Sequence, residues 1–136
     1  MNQELKALSK VSINVEVLKY LGDSSAHSDI REALVSAVEP LGDVQTYCPN
    51  ISEYKYIVVC TNNIIFGYAQ GMNMIAFRLD ATFKSRAIET GGKDLSEVGP
   101  DWVFFNPYRD DWPAVDLAFW ARKAYVIARE TNIANK

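Results

Sequence analysis

Three apolar runs separated by tight-turn residues constrain this chain more than any other feature. Residues 55–61, 64–69 and 73–79 are rich in β-branched and aromatic side chains and too short for helices, the pattern of successive strands. Asn62-Asn63 joins the first two, because asparagine tolerates the positive φ that a two-residue hairpin turn demands. Gln70-Gly71 supplies the second turn. In the third run Met74, Ala76 and Arg78 fall on one face, with Ile75, Phe77 and Leu79 on the other. Upstream, Val44, Thr46 and Cys48 alternate with Gln45 and Tyr47 and stop at Pro49-Asn50, which reads as another strand. Residues 102–105 form a short final one, closed by Asn106-Pro107. Strands joined by such turns pair antiparallel, so the expectation is an antiparallel β-meander of four to five strands.

On either side the period changes. Ser28 is suited to cap a helix in which Ile30, Ala33, Leu34, Ala37 and Val38 repeat at helical spacing, ended by Pro40 and Gly42. Residues 1–22 form a helical N-terminal extension with a looser apolar spacing through Leu5, Leu8, Val15, Val17, Leu18 and Leu21. Asp80 caps a short helix through Glu89, with Phe83, Ala87 and Ile88 turned inward, and a polar loop follows at 93–100. A long C-terminal helix starts at Pro113, with Asp110, Asp111 and Asp116 near its positive end. Its apolar stripe (Leu117, Trp120, Ala121, Ala124 and Ala128, widened by Phe119, Val126 and Ile127) packs on the sheet and meets a second neighbour. Helices and strands in blocks imply one α+β domain over 1–136, with N-terminal helices and a long C-terminal helix covering the apolar face of the sheet.

The search for chemistry removes more than it adds. A net charge of −3 and the lack of any long Lys/Arg run make nucleic acid a poor partner, and no apolar run approaches the length of a membrane span. His27 is the single histidine and reads as an exposed loop residue; with Cys48 and Cys60 it cannot make a zinc set, so neither a metal nor a cofactor is expected. The two cysteines read as free thiols of a cytoplasmic protein, Cys60 buried and Cys48 the more accessible. Gly67 and Gly71 lie within and between strands, the wrong setting for a phosphate loop, and Gly67 marks a bulge or a close approach.

What is left is an aromatic block at 101–113 and one charged oddity. All three tryptophans lie at 102, 112 and 120. Trp102 and Trp120 read as the seam where the last strand and last helix close the core, whereas the stretch Tyr108 to Trp112, with Arg109, keeps a claim to be a surface. Arg78 stands on an otherwise apolar strand and must emerge at an edge, pair with an acid such as Asp80, or anchor an anion at a pocket mouth, since charged groups are rarely buried alone. A pocket between the sheet and the C-terminal helix would draw on Tyr68, Arg78, Tyr108, Arg109, Trp112 and Tyr125.

From Ile64 onward the chain resembles the YjbR/TfoX N-terminal (MmcQ-like) domains. The likeness rests on Phe66-Gly67 and Phe77-Arg78-Leu79 in a hairpin, a strand opening with Trp102, and a final helix carrying Ala124-Tyr125 near its end. It spans about Ile64 to Arg129 and implies a small helix–meander–helix fold. Some members of that group are linked to competence regulation or to DNA contact, and the resemblance implies no catalytic residue. With no catalytic constellation in the residues, the leading expectation is a non-enzymatic binding or protein-interaction module that self-associates through an exposed apolar sheet face or edge. The alternatives are a small-ligand binder or weak enzyme using the pocket just described, and a nucleic-acid-associated regulator implied by the resemblance alone.

Overall fold

In a computed structural model of the chain, residues 8, 10–22, 24–48, 55–95, 97–106 and 116–131 are described. A 3-10 turn at Ser12–Asn14 leads into helix α1 (Val15–Leu21), followed by α2 (Ser28–Val38). Strands β1 (Gln45–Tyr47), β2 (Ile57–Thr61), β3 (Ile64–Gln70) and β4 (Met74–Arg78) come next. Helix α3 (Ala81–Glu89), strands β5 (Lys93–Asp94) and β6 (Trp102–Phe105), and helix α4 (Leu117–Glu130) complete the order. The strands form one antiparallel sheet in the order β1-β2-β3-β4-β6-β5. The fold is α+β, and the sheet has six strands where the sequence implies four to five.

The turn chemistry works as expected. Asn62 and Asn63 both take positive φ, 55° and 61°, so the β2–β3 hairpin closes in two residues. The Asp80 carboxylate accepts from the Phe83 amide at 2.9 Å and starts α3. Two helix starts differ. α2 is capped by His27, whose Nδ1 accepts from the Asp29 amide at 3.1 Å, so Ser28 is already its first helical residue and His27 is a cap as well as a surface group. α4 begins at Leu117 instead of Pro113, because the Asp116 carboxylate accepts from the Phe119 amide at 3.0 Å and Asp116 itself is not helical.

The larger difference is that the sheet is buried on both faces. On the first, α2 and α4 cover Val59, Ile64, Phe66, Ile75, Phe77, Val103 and Phe105. On the second, Leu8, Val17 and Leu21 from the N-terminal segment, with Leu95 and Val98, cover Val58, Cys60, Ile65, Tyr68, Ala76 and Trp102. Within the segment 1–22, expected to be an extension, the described residues 8 and 10–22 are thus part of a covering layer. The loop at 93–100 is not simply polar, since it contributes strand β5 and the two buried apolar residues. Ile88, expected inward, is exposed on α3. Near-continuous burial along β2 and β3 is what a doubly covered strand requires. An exposed apolar sheet face, one of the surfaces proposed for self-association, is therefore not found among the described residues.

A register shift between Val59 and Cys60 skips Phe66 on β3 and makes a bulge. Phe66 belongs to the first-face cluster, and a Cβ on Gly67 would lie 3.0 Å from the Phe77 ring and 3.1 Å from Val59 of the same cluster. Two consecutive residues thus face one side, and a side chain on the second would press on Phe77 and Val59, which would have to give by a few tenths of an ångström. The N-terminal layer is tied to the sheet by Asn14, whose fully buried amide donates to the carbonyls of Leu8 (3.0 Å) and Asn63 (2.9 Å) and accepts from the Ile65 amide (2.9 Å). Asn14→Ala strands those three backbone groups in an apolar setting. It is expected to lower the unfolding free energy by about 2–4 kcal/mol in urea titration, whereas a loss near zero would show that the tie carries no weight.

Candidate functional site

Of the residues expected to build a pocket, the structure brings two together. Tyr68 (β3) and Arg78 (β4) point to the second face, where the Trp102 ring lies 5.4 Å from that of Tyr68 and 4.9 Å from the Arg78 guanidinium carbon. Tyr125 is on the opposite side of the sheet. Its hydroxyl donates to the Gly42 carbonyl at 2.6 Å and its ring meets the edge of Phe66, so it fastens α4 to the end of α2. The space between the sheet and α4 is filled by Phe66, Phe77, Phe105, Trp120, Ala121 and Ala124, with Phe105 and Trp120 stacked 5.9 Å apart. The pocket expected there is core instead, because alanines along α4 let the helix sit close to the aromatic floor. Tyr108, Arg109 and Trp112 lie outside the described residues.

Arg78 does not pair with Asp80, which is spent on capping α3. Its Nε donates to the Ile65 carbonyl at 3.2 Å and its Nη2 to the Ile13 carbonyl at 3.0 Å. The Ile65 carbonyl is open to it because the β3–β4 ladder ends at Gly67 and Phe77, leaving Ile65 beyond it. The side chain is 9% exposed, and no carboxylate of the described residues lies within ion-pair distance of it. Burial lowers its pKa to about 10, against the opposing pull of Asp101 and Glu16.

The exposed part of Arg78 lines a cleft. A cavity of about 250 Å³ is bounded by Ser12, Ile13, Glu16, Arg78, Asp101 and Trp102. It shares Glu16, Gly99 and Pro100 with a wider neighbour of about 530 Å³, which adds Lys19, Tyr20 and Glu97. One wall is the Ser12 turn with α1 and the other is the segment 97–101. A Cβ on Gly99 would lie 3.2 Å from the Glu16 carboxylate, so the two walls nearly touch there. The second wall is held from behind by Lys84 of α3, which donates to the Pro100 carbonyl and pairs with Asp94. Beneath it Tyr68 is fully buried, and burial, with Tyr20 and Glu97 nearby, pushes its hydroxyl pKa up. A guanidinium and three rim carboxylates therefore share one cleft, with Tyr68 buried in the core beneath.

Glu16, Glu97, Asp101 and Lys19 were not visible as a set in the sequence, because they come from two segments about eighty residues apart. The available signal was Arg78 itself, a charge on an apolar strand that had to be compensated by something distant. Among the described residues no group of three His, Cys, Asp or Glu side chains is placed to hold a metal. Both cysteines are free; the Cys48 thiol lies 3.5 Å from the Lys55 carbonyl. No helix among the described residues is long and apolar enough to cross a membrane. Comparison with protein-family models, curated proteins and solved structures finds no match to this chain, so the functional reading rests on the cleft itself.

The same face holds Cys60, whose thiol burial pushes up to about 12 from an ordinary 9.0. The folded state keeps that proton in a pH range where the unfolded chain releases it. The stabilisation is complete below pH 9 and is lost as pH rises towards 12, at roughly 1.4 kcal/mol per pH unit. Denaturation titrations between pH 8 and pH 11 are expected to show this decline, and Cys60→Ala to flatten it by about that slope. An unchanged slope in the variant would contradict the assignment.

Proposed function

We propose that this chain is a non-enzymatic binding module whose ligand occupies the cleft between the Ser12–α1 wall and residues 97–101. The observation that carries the reading is Arg78: a charged group 9% exposed, held by two backbone carbonyls, whose side chain also lines a cavity. Desolvating a guanidinium without a carboxylate partner works against stability, and such an arrangement is more readily explained by a site than by packing. The polar groups converge on the cleft, whereas the apolar mass lies below it, the usual division in a small-molecule site. A role with nucleic acid, implied by the resemblance to YjbR/TfoX domains, draws no support from a cleft rimmed by Glu16, Glu97 and Asp101.

A second reading, association with a protein or a second copy of the chain, is supported by Ile88, Phe119 and Val126 exposed on α3 and α4. Lys123 lies 5.1 Å from the Phe83 ring and 5.2 Å from that of Phe119, which leaves an apolar patch around one ammonium. If that surface self-associates, sedimentation equilibrium is expected to show a concentration-dependent dimer that Phe119→Ser abolishes. A monomer at all concentrations would remove self-association from this reading.

For the cleft, an NMR-detected screen with small sugars, carboxylates, phosphates, amines and amino acids is expected to move the amides of Gly99, Asp101 and Trp102. Ser12 is exposed on the rim, so Ser12→Phe is expected to block those shifts while leaving the thermal midpoint nearly unchanged. Shifts confined to other surfaces, or none at all, would contradict the reading.

A further inference from the structure

We infer that the cleft takes a small zwitterion with a carboxylate and an ammonium a few ångströms apart, the charge pattern of a free α-amino acid. The inference rests on the binding reading above and adds the ligand class. It follows from how charge is arranged around the 250 Å³ cavity, and from what each simpler ligand would meet there.

Arg78 offers five N–H donors in a planar fork, and two hydrogen bonds to the carbonyls of Ile65 and Ile13 leave donors for a ligand. A carboxylate matches that fork better than any neutral group. A bare anion, however, would also sit beside Asp101 and Glu16, which line the same cavity. Phosphate or sulfate, with more charge and no positive end, would meet that repulsion in full. A bare cation would meet the carboxylates favourably and Arg78 unfavourably, and the metal alternative has no group of three ligating side chains among the described residues. Only a ligand with both signs satisfies floor and rim together.

The size agrees. A cavity of about 250 Å³ corresponds to roughly eight water volumes, which suits an amino-acid backbone and a short side chain. A larger side chain would run into the adjoining 530 Å³ space beside Lys19, Tyr20 and Glu97. The near contact of Gly99 with Glu16 divides the two compartments and favours a slender linkage between them. The aromatic floor adds no competing preference, because the Trp102 face is already occupied by the Arg78 guanidinium.

The test is an NMR titration of the full chain with the twenty standard amino acids, their N-acetyl derivatives, their amides and inorganic phosphate. At least one free amino acid is expected to move the Gly99, Asp101 and Trp102 amides. Acetylating its amine or amidating its carboxylate is expected to weaken binding about tenfold or more, the loss of one charge-assisted hydrogen bond. Arg78 also ties two backbone segments, so its replacement risks unfolding. Asp101→Asn with Glu16→Gln, both on the exposed rim, provides the alternative, and a loss of about fivefold or more is expected at a temperature where the NMR spectrum shows the variant folded. If N-acetyl derivatives or phosphate bind as tightly as the free amino acid, or if the double variant binds normally, the zwitterion assignment is overturned while the cleft stands. If none of these probes binds but another class of molecule moves the same amides, the assignment is again wrong and the binding reading survives. If nothing moves them, both fall.

Discussion

Ile65 is the point on which the two layers of this protein meet. Past the end of the β3–β4 ladder its amide is taken by the Asn14 side chain and its carbonyl by Arg78. Both of these side chains also hold backbone of the N-terminal segment, Asn14 the Leu8 carbonyl and Arg78 the Ile13 carbonyl. A buried peptide group left unpaired is costly, so the sheet and its second covering layer satisfy each other's requirements. Leu8, Val17 and Leu21 bring apolar contacts to that face, and the two polar side chains fix where the segment sits on it.

This arrangement explains why a charged residue can stand on an apolar strand. Arg78 is not stabilised by an ion pair among the described residues; it is solvated by carbonyls, stacked on Trp102 and opened on one side to a cleft. Carboxylates at the rim favour its charge without reaching it. A site of this kind combines structure and recognition in one side chain, which is why rim residues, and not Arg78, are the ones to alter when function is to be separated from folding.

Much of the fold was legible because the signals were local. The Asn62-Asn63 turn, the Asp80 cap and the two faces of β4 each depend on residues within a few positions of one another. The errors share a different origin. Capping of α2 by His27 in place of Ser28, and the late start of α4, depend on which of several adjacent polar side chains reaches a backbone amide. The double burial of the sheet was signalled by the unbroken apolar runs in β2 and β3, yet the layer that covers the second face comes from residues 8 and 10–22 and from Leu95 and Val98, where periodicity is weak. The candidate site was half visible. Tyr68 and Arg78 meet at Trp102, whereas Tyr125 packs on Phe66 across the sheet, because a single sequence does not show that both faces are covered. The acids of the rim could not be chosen from a sequence with 17 Asp and Glu residues, because their grouping is a product of topology.

The central claim, that Arg78 is a charged guanidinium pinned by carbonyls at the floor of an open cleft, can be measured on the side chain itself. In ¹⁵N-resolved NMR of arginine side chains, a pinned Arg78 predicts an Nε–H signal that exchanges slowly with solvent and restricted rotation about the Nε–Cζ bond. It should differ in both respects from Arg86 and Arg122, which are exposed. An Arg78 signal that exchanges and averages like those two would contradict the claim.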